Sequence, residues 1–185
     1  MKIWIIILLV FPITIYGQQE NKILVENMKN IADIPYIGTY EEGTGCGDII
    51  FWEVVKKGQK IIPLLIEKLN DTTEIKVFVP NFGGKYTVAD ASYIAMTEII
   101  VGIPTFELLG VDFDKDGCGY CSYWFHLRKK PENRVKFQKA VDTWYKKNMK
   151  RLLWIKSNQI MSGDCSGKHP NGGHYELKQD QIRKL

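Results

Sequence analysis

The chain has 185 residues, with 25 Lys or Arg against 21 Asp or Glu, a formal charge of +4 and 45% hydrophobic content. That length supports one domain with a core of its own. The charge is too mild to imply a nucleic-acid partner, which requires a concentrated basic field.

Residues 1–17 read as a secretory signal peptide. Lys2 supplies a minimal positive start, Ile3 to Ile15 is nearly all apolar, and Gly17 is a small residue before Gln18-Gln19. The 13-residue run from Ile3 to Ile15 is shorter than the roughly 20 residues of a spanning helix, which favours cleavage over a retained anchor. Ile15 is bulky for its place two before the cleavage residue, and no Cys follows the run to take a lipid. Removing 17 of the 185 residues leaves 168, residues 18–185, as a single exported domain, periplasmic or secreted. In an oxidising compartment Cys46, Cys118, Cys121 and Cys165 form disulfides, with three pairings open.

In the mature chain, residues 20–34 form a predicted helix on Ile23, Leu24, Asn27, Met28 and Ile31, ended by Pro35. A loop over 38–47 contains Gly38, Gly43, Gly45, Gly47 and Cys46. Asp48 caps a second helix, Ile49 to Lys57, which Gly58 stops. Ile50, Phe51, Trp52, Val54 and Val55 make that helix mostly buried.

The centre of the chain is a pair of amphipathic helices. In 61–71, Ile61, Leu64, Leu65 and Leu69 share one face, with Pro63 near the start and Asn70-Asp71 at the stop. In 88–100, Thr87 and Asp90 form a capping box with Asp in place of Glu. Ala91 and Ala95 let a neighbouring helix approach, flanked by Val88, Ile94, Ile99 and Ile100. Pro63, Leu64, Leu65, Leu69, Asp71, Val88, Ala91, Ala95 and Ile99 together resemble a HEAT-type helical repeat. The resemblance implies antiparallel helical hairpins that present a binding surface. It covers about a quarter of the chain and one repeat, whereas solenoids need about three. It also departs from that pattern through an insertion at 72–86. An irregular bundle gives the same spacing. Within the insertion Ile75, Val77 and Val79 alternate with Lys76 and Phe78, and Asn81-Phe82-Gly83-Gly84 is a turn. A β-hairpin follows, packed on a partner or on its own domain.

Gly102 and Pro104 break the central helix before a short one at 105–110. Then comes the densest cluster, Asp112 to Cys121, with four chemical readings. Asp112, Asp114, Asp116 and Gly117 resemble the opening of an EF-hand loop and imply a weak calcium site, since Tyr123 stands where the bidentate Glu belongs. Cys118-Gly119-Tyr120-Cys121 resembles the active-site motif of thioredoxin-superfamily disulfide isomerases. That reading needs a strand over Phe106 to Phe113 and a helix from Ser122 to Lys129 carrying His126. Cys118 and Cys121 with His169 and His174 have zinc-ligand spacing within each pair. Structural disulfides are the fourth reading, and the solvated acidic turn is the plain alternative to calcium.

Residues 131–156 read as one long helix or two abutting ones, with Phe137, Val141, Trp144, Tyr145, Asn148 and Leu152 on one face. Between Arg128 and Lys156 eleven Lys or Arg stand against Glu132 and Asp142. Such a face is solvated, or meets an anionic membrane or an acidic partner. Trp144 and Trp154 are expected in the core. The tail, 157–185, is loop-rich and tethered by Cys165, with His169 and His174 as a small polar site.

No Ser elbow, HExxH, phosphate loop or dinucleotide fingerprint is present in the sequence, and His126, His169 and His174 are its only histidines. The leading expectation is therefore a mainly α, exported, non-enzymatic protein that binds another protein, of inhibitor or immunity type, with no cofactor. A thiol–disulfide oxidoreductase using Cys118 and Cys121 and a calcium module using Asp112, Asp114 and Asp116 are the alternatives.

Overall fold

In the computed structural model of the chain, the structure describes residues 17–35, 45–79, 83–111, 119–157 and 171–178. Helix α1 occupies residues 17–26 and tightens into a 3-10 turn at Asn27–Asn30. The single helix expected over 20–34 thus stops early. Ile31 leaves the helical region at ψ 130°, and its carbonyl accepts from Lys76 N in the later hairpin. Helix α2, Ile49–Lys56, begins at Asp48, whose carboxylate accepts from Phe51 N at 2.9 Å. Gly58 takes φ +60° and starts a 3-10 turn, Gly58–Ile61, before helix α3, Ile62–Glu67, with Pro63 in its first turn. Proline is cheap there because the first-turn N–H has no intrahelical partner.

Strands β1, Glu74–Phe78, and β2, Lys85–Thr87, pair antiparallel. Ile75 and Val77 face inward while Glu74, Lys76 and Phe78 face water. The period-2 reading holds, and the hairpin packs on its own domain. Each buried aliphatic side chain contributes roughly 1.5–3 kcal/mol, enough to hold so short an arm.

β2 runs directly into helix α4, Val88–Ile99, which is the central element. Ten of its twelve residues are buried, including the polar Asp90, Ser92 and Glu98. Helices α2 and α3 pack on it, where Ala91 and Ala95 are fully buried. Tyr93 leaves in another direction. It stacks on Tyr123 of helix α6, Gly119–Lys129, and meets Phe137 of helix α7, Pro131–Asn148, edge-on at 5.0 Å. The short helix α5, Thr105–Leu109, ends at Gly110 with φ +66°.

Three expectations are corrected. Ile100 does not end the helix: Ile100–Val101 is strand β3. Residues 152–156 are not helical: α7 ends at Asn148, a 3-10 turn covers Met149–Arg151, and Leu152–Lys156 is strand β4. The tail is not only loop, since Gly173–Leu177 is strand β5. β5 is the middle strand of the sheet β3-β5-β4, parallel to β3 and antiparallel to β4. The local pattern of 152–156 suits either state. Backbone pairing with a segment about 20 residues later selects the strand, and the bulky run Leu-Leu-Trp-Ile fits a pleated surface. Trp154, expected in the core, lies exposed on this strand, whereas Trp144 is partly buried against the core. The described chain is therefore helix-rich with two small sheets. No described helix is long and apolar enough to cross a membrane.

Candidate functional site

The most concentrated polar cluster is built around Asp90. The capping box places its carboxylate at the α4 N-terminus: Thr87 N donates to Oδ2 at 2.8 Å, and Asp90 N donates to Thr87 Oγ1 at 3.3 Å. Arg134 of α7 donates to Oδ1 at 3.0 Å and Arg128 of α6 to Oδ2 at 3.2 Å. The Asp90 side chain is fully buried, Arg134 is 5% exposed and Arg128 34%. Arg128 also donates to Lys85 O at 2.7 Å and lies over the Trp124 ring. One carboxylate thereby joins β2, α4, α6 and α7. Both carboxylate oxygens and both guanidinium groups are engaged, so the cluster fastens these elements to one another.

A second carboxylate pair closes the loop before α2. Asp33 accepts from Gly45 N, Cys46 N and Gly47 N at 2.8–3.0 Å. Asp48 accepts from Ala32 N at 2.6 Å as well as from Phe51 N. Trp52 Nε1 donates to Cys46 O, and Gly47 at φ +79° lies so close that a Cβ would fall 2.7 Å from that nitrogen. Cys46 is disulfide-bonded rather than a free thiol. Among the described residues no second cysteine side chain is placed beside it.

The predicted ligand residues meet different fates. Asp112, Asp114, Asp116, Cys118, Cys165 and His169 lie outside the described residues, as does the Cys121 side chain. The strand that the disulfide-isomerase resemblance requires over Phe106 to Phe113 is not found at its described residues, 106–111, where Phe106 to Leu109 lie within α5; residues 112 and 113 lie outside the described residues. The helix it requires is present as α6, with His126 in its last turn. His174 sits in β5 rather than in a loop. It is 5% exposed, its Nε2 lies 2.8 Å from Glu176 Oε1, and its Nδ1 has no hydrogen-bond partner among the described residues. Among the described residues no group of three His, Cys, Asp or Glu could hold a metal.

Among the described residues, three groups titrate away from their ordinary values. Lys68 is raised by its hydrogen bond to Glu26, against the effect of burial and with help from Asp71. For Asp71, burial raises the value, but the Thr73 and Lys68 hydrogen bonds outweigh it and lower the carboxyl overall. Burial, then the neighbouring Tyr175, raises the Tyr145 hydroxyl. Lys68 and Asp71 form a surface triad with Glu26, and Tyr145 donates to Gln59 O at 3.2 Å. None of the three lines the open groove along α1 and α2. That groove, of about 430 Å³, is lined by Ile23, Leu24, Asn27 and Glu53. It is crossed by the ion pair of Lys57 with Glu20 at 2.6 Å.

The surface feature sequence reasoning missed is β4. Leu153, Trp154 and Ile155 are consecutive and 48%, 45% and 38% exposed. The other exposed apolar side chains, such as Ile23, Ile49, Phe78 and Phe125, sit on separate elements, an ordinary finding. In sequence the stretch leading into and through β4 is cationic. Lys147, Lys150, Arg151 and Lys156 are exposed, and the three lysines have no carboxylate partner among the described residues. The basic content of 128–156 was legible. That its end is a strand rather than a helix was not, so the apolar triplet could not be recognised as an edge.

Comparisons with known proteins find no matching protein family, no matching curated protein and no matching solved structure.

Proposed function

We propose that this chain is an exported, non-enzymatic interaction module whose partner is another protein, of the inhibitor or immunity type. The observation that carries the reading is the contiguous exposed triplet Leu153-Trp154-Ile155, bounded in sequence by Lys150, Arg151 and Lys156, of which the lysines have no carboxylate partner among the described residues. Exposed apolar surface rimmed by charge is a common form of protein interface, with aromatic residues as anchors. The polar clusters at Asp90 and at Asp33–Asp48 support it indirectly, because their hydrogen bonds are spent on the fold.

In this reading residues 1–17 are removed on export, and Cys46 is bonded to Cys118, Cys121 or Cys165. A bond to Cys165 would tether the C-terminal region near the start of α2. The HEAT-like description of α3 and α4 stands as a proposal about their packing, on the residues that carry the resemblance. The oxidoreductase reading is the weaker alternative, because α5 occupies the place of its required strand.

The test is site-specific photocrosslinking in the native host. A photoreactive residue at position 154 should give one discrete adduct of protein size, and the same residue at position 49 should give none. No adduct at 154, or equal adducts at both positions, would remove the reading.

A further inference from the structure

We infer that β4 is the receiving edge for an extended segment of another protein, one in which apolar residues alternate with acidic ones. The inference rests on the interaction-module reading and specifies its geometry.

The argument begins with hydrogen-bond parity. Ser157 N donates to Gly172 O and Lys178 N to Arg151 O. With the register Ile155 to His174 and Leu153 to Glu176, the odd-numbered residues of β4 bond to β5. Leu152, Trp154 and Lys156 therefore turn their N–H and C=O groups away from β5. Among the described residues nothing bonds to that side, since the sheet order ends at β4. The edge left open among the described residues is five residues long, roughly 17 Å at 3.4 Å per residue.

Edges of this kind are ordinarily blunted by proline, bulges or charges pointing outward. β4 has no proline and keeps an unbroken register with β5 over all five residues. Its single lysine is at the end. Both faces beside the edge are apolar. Trp154 stands on one, edge-on to Tyr175 at 5.0 Å and close over Gly173, where a Cβ would fall 2.8 Å from the indole. Leu153 and Ile155 stand on the other. An added strand would set alternate side chains against each face.

Charge selects the occupant. Lys150 and Arg151 directly precede the strand and Lys156 ends it, and among the described residues Glu176, the acid paired with Leu153, lies 2.8 Å from His174 Nε2. A second copy pairing antiparallel through β4 would bring Arg151 and Lys150 of each chain toward Lys156 of the other, and like charges across a strand pair are unfavourable. A bilayer would accept Trp154 and the lysines but gives the outward backbone groups no partners. An acidic, apolar strand satisfies all three.

The test uses the full mature chain, residues 18–185 with disulfides intact, and a displayed library of random short peptides. Enriched peptides should alternate apolar and acidic residues. They should bind Trp154→Ala and Lys156→Pro at least about tenfold more weakly than the parent, a loss of about 1.4 kcal/mol. Lys156→Ala should lose less than Lys156→Pro, since proline also removes an outward N–H while sparing the bonds to β5. N-methylation of alternate amides in the best peptide should abolish binding to the unaltered chain. Binding that survives both N-methylation and Lys156→Pro overturns strand addition and leaves the interaction-module reading standing. No enrichment, with binding to phosphatidylglycerol vesicles instead, overturns both. Concentration-dependent dimerisation that Trp154→Ala abolishes makes the occupant a second copy and also overturns the inference.

Discussion

Replacing Asp90 with Ala should be the most damaging single side-chain deletion in the described polar network. It removes the acceptor for Thr87 N, Arg128 and Arg134 at once. Arg134 is then a guanidinium with 5% of its side chain exposed and no counter-charge. Removing one partner of a buried pair costs about 3–5 kcal/mol, out of a total stability of about 5–15 kcal/mol for a domain. Arg134→Met should cost less, about 1.5–3 kcal/mol, because Asp90 keeps Arg128 and the Thr87 amide. Arg128→Met should cost least, about 1 kcal/mol, since a third of that side chain already meets water. Asp90→Ala combined with Arg134→Met should lose about 1–3 kcal/mol less than the two single losses added together, because Arg134 is then not left as a buried charge without its carboxylate. Urea unfolding with the disulfides intact gives all four values. A loss below about 1 kcal/mol for Asp90→Ala, or additivity in the double variant, would refute the view that this carboxylate holds four elements together.

Gly173→Ala should cost about 1–3 kcal/mol by overpacking and should unzip β4, because the new Cβ would fall 2.2 Å from Ile155 O; thermal unfolding and the near-ultraviolet signal of Trp154 report it. Lys68→Met should cost under about 1 kcal/mol near neutral pH. The folded Lys68 value is raised above its ordinary 10.5, so its contribution is complete below that pH and disappears as pH rises through the folded value. Asp71 has the opposite sign: its folded value is lowered below 3.8, so its contribution is present above 3.8 and lost as pH falls through the folded value. Paired urea titrations should show the Lys68→Met difference closing at alkaline pH; a difference that widens there would contradict the triad. The Cys46 disulfide should resist mild reductant, with a potential below about −300 mV; thiol labelling of Cys46 at thioredoxin-like potentials, about −270 mV, would favour the oxidoreductase.

The sequence carried local features well. Asp48 and Thr87 were legible as helix caps because capping is decided within three residues. The alternation at Ile75, Val77 and Val79 was legible for the same reason, and Ala91 and Ala95 marked the close helix approach. What failed was non-local. Ile100, Leu152–Lys156 and Gly173–Leu177 come from three distant parts of the chain and become strands only by pairing with one another. Short apolar runs do not distinguish a helix end from a strand. The cap role of the Asp90 carboxylate is local and legible. Its two arginines, 38 and 44 residues later, had no local signal beyond the basic composition of their helices. The site follows the fold: the eleven cations between Arg128 and Lys156 are visible in the sequence, but their relation to a strand edge depends on strand pairing that is not local.

Amide hydrogen exchange along β4 examines the central claim with the fewest assumptions. In the free chain Leu153 and Ile155 should exchange slowly and Leu152, Trp154 and Lys156 fast, following the parity of the β5 bonds. Saturation with a selected acidic peptide should slow the fast set. Uniformly slow exchange in the free chain, or a fast set unchanged by the bound peptide, would contradict the account.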